Sequence, residues 1–259
     1  MPQAAGLDRE RGAEGGAEAA PPRRAAMPAL RPITLVDQVV EAFVQAAAEG
    51  RFLPGDRVVE AEIAREFQVS RVPVREALRL LESQGIVFNT PYRGMRLMEV
   101  TSASLHHILV VRASLERVAA REALAAYRRD KGVLGRLEPA LQRMRRAVEE
   151  GSGFEVAKAD ADFHRALCMI GGNEVLLQIW ETLARRLTII VGLSTLTKDL
   201  ASIYDEHLQF LEIFKRGNLR ALERTVHEHI IRQNEMVDFD GLIARRRQSA
   251  ERPGGTSHP

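Results

Sequence analysis

A single cysteine, Cys168, stands among the 259 residues, so an intrachain disulfide is excluded and a reducing compartment is expected. Long apolar runs are missing too. None approaches the ~20 residues needed to span a bilayer. The basic N-terminus is followed by no apolar stretch of the kind a signal peptide carries. A cytoplasmic chain with no membrane contact is the expectation. Aromatic residues are few, at 5%, and 37 Lys and Arg nearly balance 35 Asp and Glu. The formal net charge of +2 therefore does not by itself announce a nucleic-acid binder. What is abundant is Leu, Ala, Arg and Glu, which favours helices. The length suits two small domains, each able to bury its own core.

The two ends lack apolar periodicity. Residues 1–30 are rich in Ala, Gly, Glu, Arg and Pro and are expected to be a disordered arm. Residues 240–259 carry Arg245-Arg246-Arg247 and then Pro253-Gly254-Gly255, and are expected to be a disordered, solvated basic tail. Between them, residues 31–100 show short helices and a hairpin. Residues 101–239 read as helix after helix, about six, with breaks at Asp130–Gly132, Gly151–Gly153, Gly171–Asn173, Thr195–Lys198 and Gly217-Asn218.

In the first segment, Val36, Val39, Val40, Phe43 and Val44 give a stripe to a helix that Gly50 ends. A second helix spans about Glu60 to Phe67. Ser70 is placed to cap a third, Arg71 to Gln84, with Pro73 in its first turn. Val74, Ala77, Leu78 and Leu81 face inward, while Arg71 and Arg75, four apart, share the outer face. Such a helix can enter a major groove N-terminus first. Two short strands around Pro91-Tyr92-Arg93-Gly94 would form a wing. Arginines on one helix are more often plain solvated charges, but the surrounding sequence is specific. The run Pro54-Gly55-Asp56-Arg57, Ile63-Ala64, Val69 to Leu78, Leu81-Glu82, Gly85 and Arg93-Gly94 resembles the winged helix-turn-helix of the GntR superfamily. The resemblance implies DNA contacts from Ser70, Arg71, Val72 and Arg75 and a wing-tip role for Gly94, and the wing itself would bring Arg93 and Gly94 near the backbone or minor groove. Two departures stand out: Ala61 replaces a base-reading arginine of the second helix, and Gln68 replaces a glycine common in the turn.

In the second segment, three histidines fall on inward stripes of three helices. His164 lies with Ala157, Ala161, Leu167 and Cys168. His207 lies with Leu200, Ile203, Tyr204, Leu208, Leu211 and Phe214. His229 lies with Leu222, Val226, Ile230, Gln233 and Val237. Asp160, four before His164, shares its face. One Asp and three His make a plausible shell for a divalent transition metal, but periodicity leaves open whether the helices converge. The segment resembles the all-helical FCD effector domain of the FadR subfamily, through Arg112, Leu115-Glu116, Asp160 to His164, Gly172-Asn173, His207, Gly217-Asn218, Ala221 and His229. That likeness implies metal ligands Asp160, His164, His207 and His229, with zinc first and nickel, manganese or iron as alternatives. Arg112 and Asn173 would contact a small carboxylate effector. For Arg112, pairing with an acidic residue of the bundle is the alternative, and for Asn173, helix capping.

The expected fold is thus mainly α: an N-terminal winged helix-turn-helix with a small hairpin, then an all-α six-helix bundle. The expected function is an effector-responsive repressor that reads near-palindromic operator DNA as a homodimer. A purely structural or signalling metal is the alternative. A metalloenzyme is disfavoured, because no general base or nucleophile motif accompanies the ligands.

Overall fold

The computed structural model describes residues 33–251. The expected arm, residues 1–30, lies outside the described residues. Helix α1 (Leu35–Ala48) starts at a capping box in which Thr34 and Asp37 satisfy each other's backbone N–H groups, and its Val39, Val40, Phe43, Val44 and Ala47 are buried. Helix α2 (Glu60–Glu66) and helix α3 (Arg71–Ser83) form the helix-turn-helix. The turn between them needs a left-handed residue, and Gln68 supplies it at φ 55°. This is the position at which the sequence departs from the family's common glycine. A side chain there is strained, because its Cβ crowds the backbone.

Ser70 occupies the N-cap position of α3, but its side chain makes no capping hydrogen bond, contrary to expectation. Strands β1 (Val87–Thr90) and β2 (Gly94–Leu97) pair antiparallel, from Val87 opposite Leu97 to Thr90 opposite Gly94. This is the wing.

The helical part follows. Helix α4 (Ser102–Arg129) is the longest, and a 3₁₀ turn (Lys131–Arg136) leads to α5 (Glu138–Glu149). Then come α6 (Gly153–Gly171), α7 (Glu174–Ser194) and α8 (Leu200–Lys215). Helix α9 (Leu219–His227) runs through a π turn (Glu228–Arg232) into the short α10 (Gln233–Glu235). Every expected break is a break. One apolar core runs from Val40 and Leu81 through Ile189 and Leu193 to Phe210 and Ile230, so both parts share packing.

Two expectations are corrected. Residues 240–251 are not a solvated tail but belong to helix α11 (Phe239–Glu251). Phe239, Leu242 and Ile243, at i, i+3 and i+4, bury one face, and Arg247 donates to the Pro54 carbonyl at 2.6 Å. Residues 252–259 lie outside the described residues. Second, the π turn inserts an extra residue, so the stripe beyond Ile230 continues through Asn234, whose Nδ2 donates to the Ile230 carbonyl.

Candidate metal centre and nucleic-acid interface

The three histidines and Asp160 converge. Helix α6 brings Asp160 and His164, α8 brings His207, and the π turn brings His229. Their ligand atoms all lie within 4.8 Å of one another. Asp160 Oδ1 is 3.2 Å from His207 Nε2 and 3.7 Å from His164 Nε2, and His164 Nε2 is 3.2 Å from His229 Nε2. The other ring nitrogens point away, each toward an acceptor. His207 Nδ1 is 2.7 Å from the Ile203 carbonyl, His164 Nδ1 is 2.5 Å from Glu116 Oε2, and His229 Nδ1 is 3.6 Å from Glu206 Oε2. At His207 and His164 an acceptor this close to Nδ1 holds the proton there and leaves the Nε2 lone pair free, whereas 3.6 Å at His229 is too long for a hydrogen bond.

These residues suit a cation. Asp160 Oδ2 and His207 Nε2 are buried without a well-aligned hydrogen bond, as are His164 Nδ1 and Glu116 Oε2, whose close contact is poorly aligned. The buried charges do not balance, since Arg112 (+1) faces Glu116 and Asp160 (−2), which leaves one net negative charge. Burial holds the His164 imidazole below its ordinary value, against the pull of Glu116. Burial and the neighbouring His207 and His164 hold His229 well below its own. Neutral imidazoles are the form that binds metal. Burial would raise the Asp160 and Glu116 carboxyls, but the surrounding histidines and Arg112 hold both well below the usual carboxylate range.

Glu116, which the sequence alone does not single out as a site residue, holds a central place. It accepts from Arg112 Nε at 2.8 Å and from Trp180 Nε1 at 2.9 Å, and it faces His164. Its spacing from Arg112, four residues along α4 on the inward stripe, was the available signal. Nothing local flagged Trp180 or Glu206. Arg112 pairs with Glu116 and lies 3.6 Å from Asp160, the bundle pairing left open above, and it also lines a small cavity against the cluster. Ser194, Lys198, Glu206 and Asn234 line the same cavity, whose volume is about 20 Å³. Asn173 is elsewhere: it caps α7, with Oδ1 accepting from the Leu176 N–H. Cys168 is buried beside Trp180, and Asp162 pairs with Arg143 at the surface.

At the other end, Ser70, Arg71, Val72 and Arg75 are all exposed on the first turns of α3, Val72 to 63%. Arg75 is engaged rather than free. Glu60 of α2 takes its guanidinium in a fork, with Nε and Nη2 both at 3.0 Å. Solvent screens an exposed pair of this kind and leaves it weak, so a phosphate or base edge can displace it. Gly94 adopts φ 74° at the wing tip beside exposed Arg93 and Tyr92. Arg96 does not join this surface: its Nη1 donates to the Gly55 carbonyl at 2.7 Å and braces the wing.

A winged helix-turn-helix thus precedes an all-helical domain with a buried Asp/His₃ cluster. Residues 35–97 match the model for bacterial regulatory proteins of the gntR family, and residues 107–232 match the FCD domain. An uncharacterized HTH-type transcriptional regulator of Bacillus subtilis (strain 168), YdhC, is 30% identical over 183 residues, covering 70% of this chain and 80% of that protein. The chain belongs to the gntR family.

This gntR-family protein is a transcriptional regulator and not an enzyme, as are its relatives. It is also similar to a probable D-xylose utilization operon transcriptional repressor of Paenarthrobacter nicotinovorans, at 27% identity over 76% of this chain and 86% of that one. The solved structure of E. coli McbR/YncC shares the fold, with a TM-score of 0.62 at 21% identity, and covers 85% of this chain and 100% of its own. No helix of the described residues is long and apolar enough to cross a membrane.

Proposed function

We propose that this regulator is a cytoplasmic, FadR-type repressor that binds near-palindromic operator DNA as a homodimer and is controlled through a metal-dependent effector site. Ser70, Arg71, Val72 and Arg75 read the major groove, and Arg93 with Gly94 meets the backbone or minor groove. Relatives named as repressors support the sign of the effect. Exposed Val111 and Val118 on α4, with Val175 and Ile179 on α7, offer apolar surface for a second copy. Asp160, His164, His207 and His229 hold a divalent transition metal, zinc before nickel, manganese or iron. When bound, the metal supplies a Lewis-acidic position for a small carboxylate, and Arg112 stands beside that position.

The observation that carries this reading is the convergence of Asp160, His164, His207 and His229, whose ligand atoms all lie within 4.8 Å of one another. Elemental analysis with native mass spectrometry of the purified protein tests it. One metal per chain is expected, and a metal-free protein that binds no zinc at micromolar concentration overturns it. For the DNA face, Arg75→Ala is expected to abolish sequence-specific gel shifts on a selected operator while the circular dichroism spectrum stays unchanged.

A second reading has its own support. A cavity of about 20 Å³ holds little more than one water. If it does not open, the metal itself is structural or is the signal. A thermal-shift screen separates the two: zinc raising the melting temperature while no small acid adds to it favours this second reading.

A further inference from the structure

Helix α7 touches the buried cluster and the DNA-reading domain along one rigid rod. At Trp180, the indole Nε1 donates to Glu116, the carboxylate that also faces His164 and holds Arg112. At Val191 and Ser194, α7 lines the cavity beside Asp160 and His207. Between these points Arg186 turns the other way. Its Nε donates to the carbonyl of Gln84 at 2.6 Å, and Gln84 is the C-cap of α3, the recognition helix. The guanidinium lies against Gly85, whose φ is +63°. It occupies the space where a Cβ on that glycine would sit, with Nη2 only 1.5 Å from that position. Further along, Gly192 lets α7 meet α1, where a Cβ would come within 2.5 Å of the Ala48 Cβ.

Arg186 is set apart from the surface arginines by burial, which lowers its pKa while no carboxylate among the described residues pairs with it. A half-buried cation in that state is held by what it faces, here the free carbonyls and negative dipole end of α3. The distances suit a lever. Six residues from Trp180 to Arg186 and eight from Arg186 to Ser194 span about 9 and 12 Å of helix at 1.5 Å per residue.

We infer that Arg186 is a positioning residue that ties the C-terminal end of the recognition helix to α7, and so carries the state of the buried cluster to the DNA-reading surface. This deepens the function proposed above and rests on it for the direction of signalling. A change at Glu116 or at the cavity wall displaces α7. Through the Arg186–Gln84 contact, that displacement changes the setting of α3. Without the contact, the cluster still forms, but α3 no longer responds to it.

Hydrogen exchange with mass spectrometry on the full chain tests this with two perturbations of the cluster. The first is zinc sulfate alone, added to chelator-treated protein. The second is Trp180→Phe, which removes the indole donor but keeps an aromatic ring and needs no metal. Each is expected to change exchange at Gln84 to Val87 in the wild type. In Arg186→Ala the change at Gln84 to Val87 is expected to fall at least about fivefold, a coupling of ordinary size, while the peptides of α6, α8 and α9 respond as before. Arg186→Lys, which keeps the charge, is expected to restore part of the response, and it stands in if the alanine variant does not fold. Responses at Gln84 to Val87 that are equal with and without Arg186 overturn the inference, as does a wild type in which neither perturbation reaches those residues. If zinc leaves α6, α8 and α9 unchanged, the metal reading falls by itself, and the Trp180→Phe arm still decides the role of Arg186.

Discussion

Replacing Glu116 by glutamine tests the whole buried network with an isosteric change. Glu116 Oε1 accepts from Arg112 and from Trp180, while Oε2 faces His164 Nδ1. A glutamine keeps its carbonyl toward the two donors, so its amide NH₂ must point at His164. That NH₂ is itself a donor, and it forces the His164 proton from Nδ1 onto Nε2, the nitrogen that faces Asp160 and His229. A ligand nitrogen is thereby blocked. Loss of such an outer partner weakens metal binding by about 10–100-fold, or ~1.4–2.7 kcal/mol.

The zinc-free protein pays separately, since Arg112 loses its nearest carboxylate and keeps only Asp160 at 3.6 Å. Breaking a buried pair costs ~3–5 kcal/mol, and the retained carbonyl places this case near the lower end. At ~2–4 °C per kcal/mol for a chain of this size, the melting temperature should fall by about 6–12 °C. Zinc competition against a chromophoric chelator and thermal unfolding with and without zinc measure the two effects. A Glu116→Gln protein with wild-type zinc affinity would refute the tautomer argument, even if its stability falls.

The other expectations are simpler. In zinc-free protein, His164 and His229 bind protons less readily than in the unfolded chain, so stability is highest above their ordinary value of 6.5 and is lost as pH falls below it. Asp160 and Glu116 add to the loss below 3.8 and 4.5, while Glu206, whose carboxyl burial raises, works in the opposite sense. A melting temperature independent of pH between those limits would contradict this. Gln68→Gly relieves the left-handed φ of 55° and is expected to stabilise by ~0.5–1 kcal/mol, read as a small rise in melting temperature without loss of operator binding. Phe239→Ala empties a fully buried site under α11 and is expected to cost ~3–5 kcal/mol, with early proteolysis near Arg245 to Arg247. If that region is cut no faster than in the wild type, α11 is not held as described.

Local pattern alone was enough for much of this protein. The stripes of α1, α3 and α6 follow from apolar spacing, and the breaks follow from Gly, Asn and Asp, because helix propensity, capping and amphipathic burial act within a few residues. The Asp160, His164, His207 and His229 cluster was legible as inward-facing polar residues on apolar stripes, and Gln68 as an odd residue in a turn. Helix α11 was missed because Arg245-Arg246-Arg247 dominates its composition, although Phe239, Leu242 and Ile243 already carried a helical stripe. Other facts depend on residues far apart in sequence. Whether three histidines meet, and which nitrogen each presents, is set by how α6, α8 and the π turn pack. Glu116 joins His164 and Trp180 only because α4 lies against α6 and α7. Arg75 and Glu60 form a fork across two helices, and Arg186 finds the carbonyl of Gln84 from another domain. Such contacts are decided by tertiary packing, since their partners lie on different helices, and no spacing along one helix encodes a partner on another.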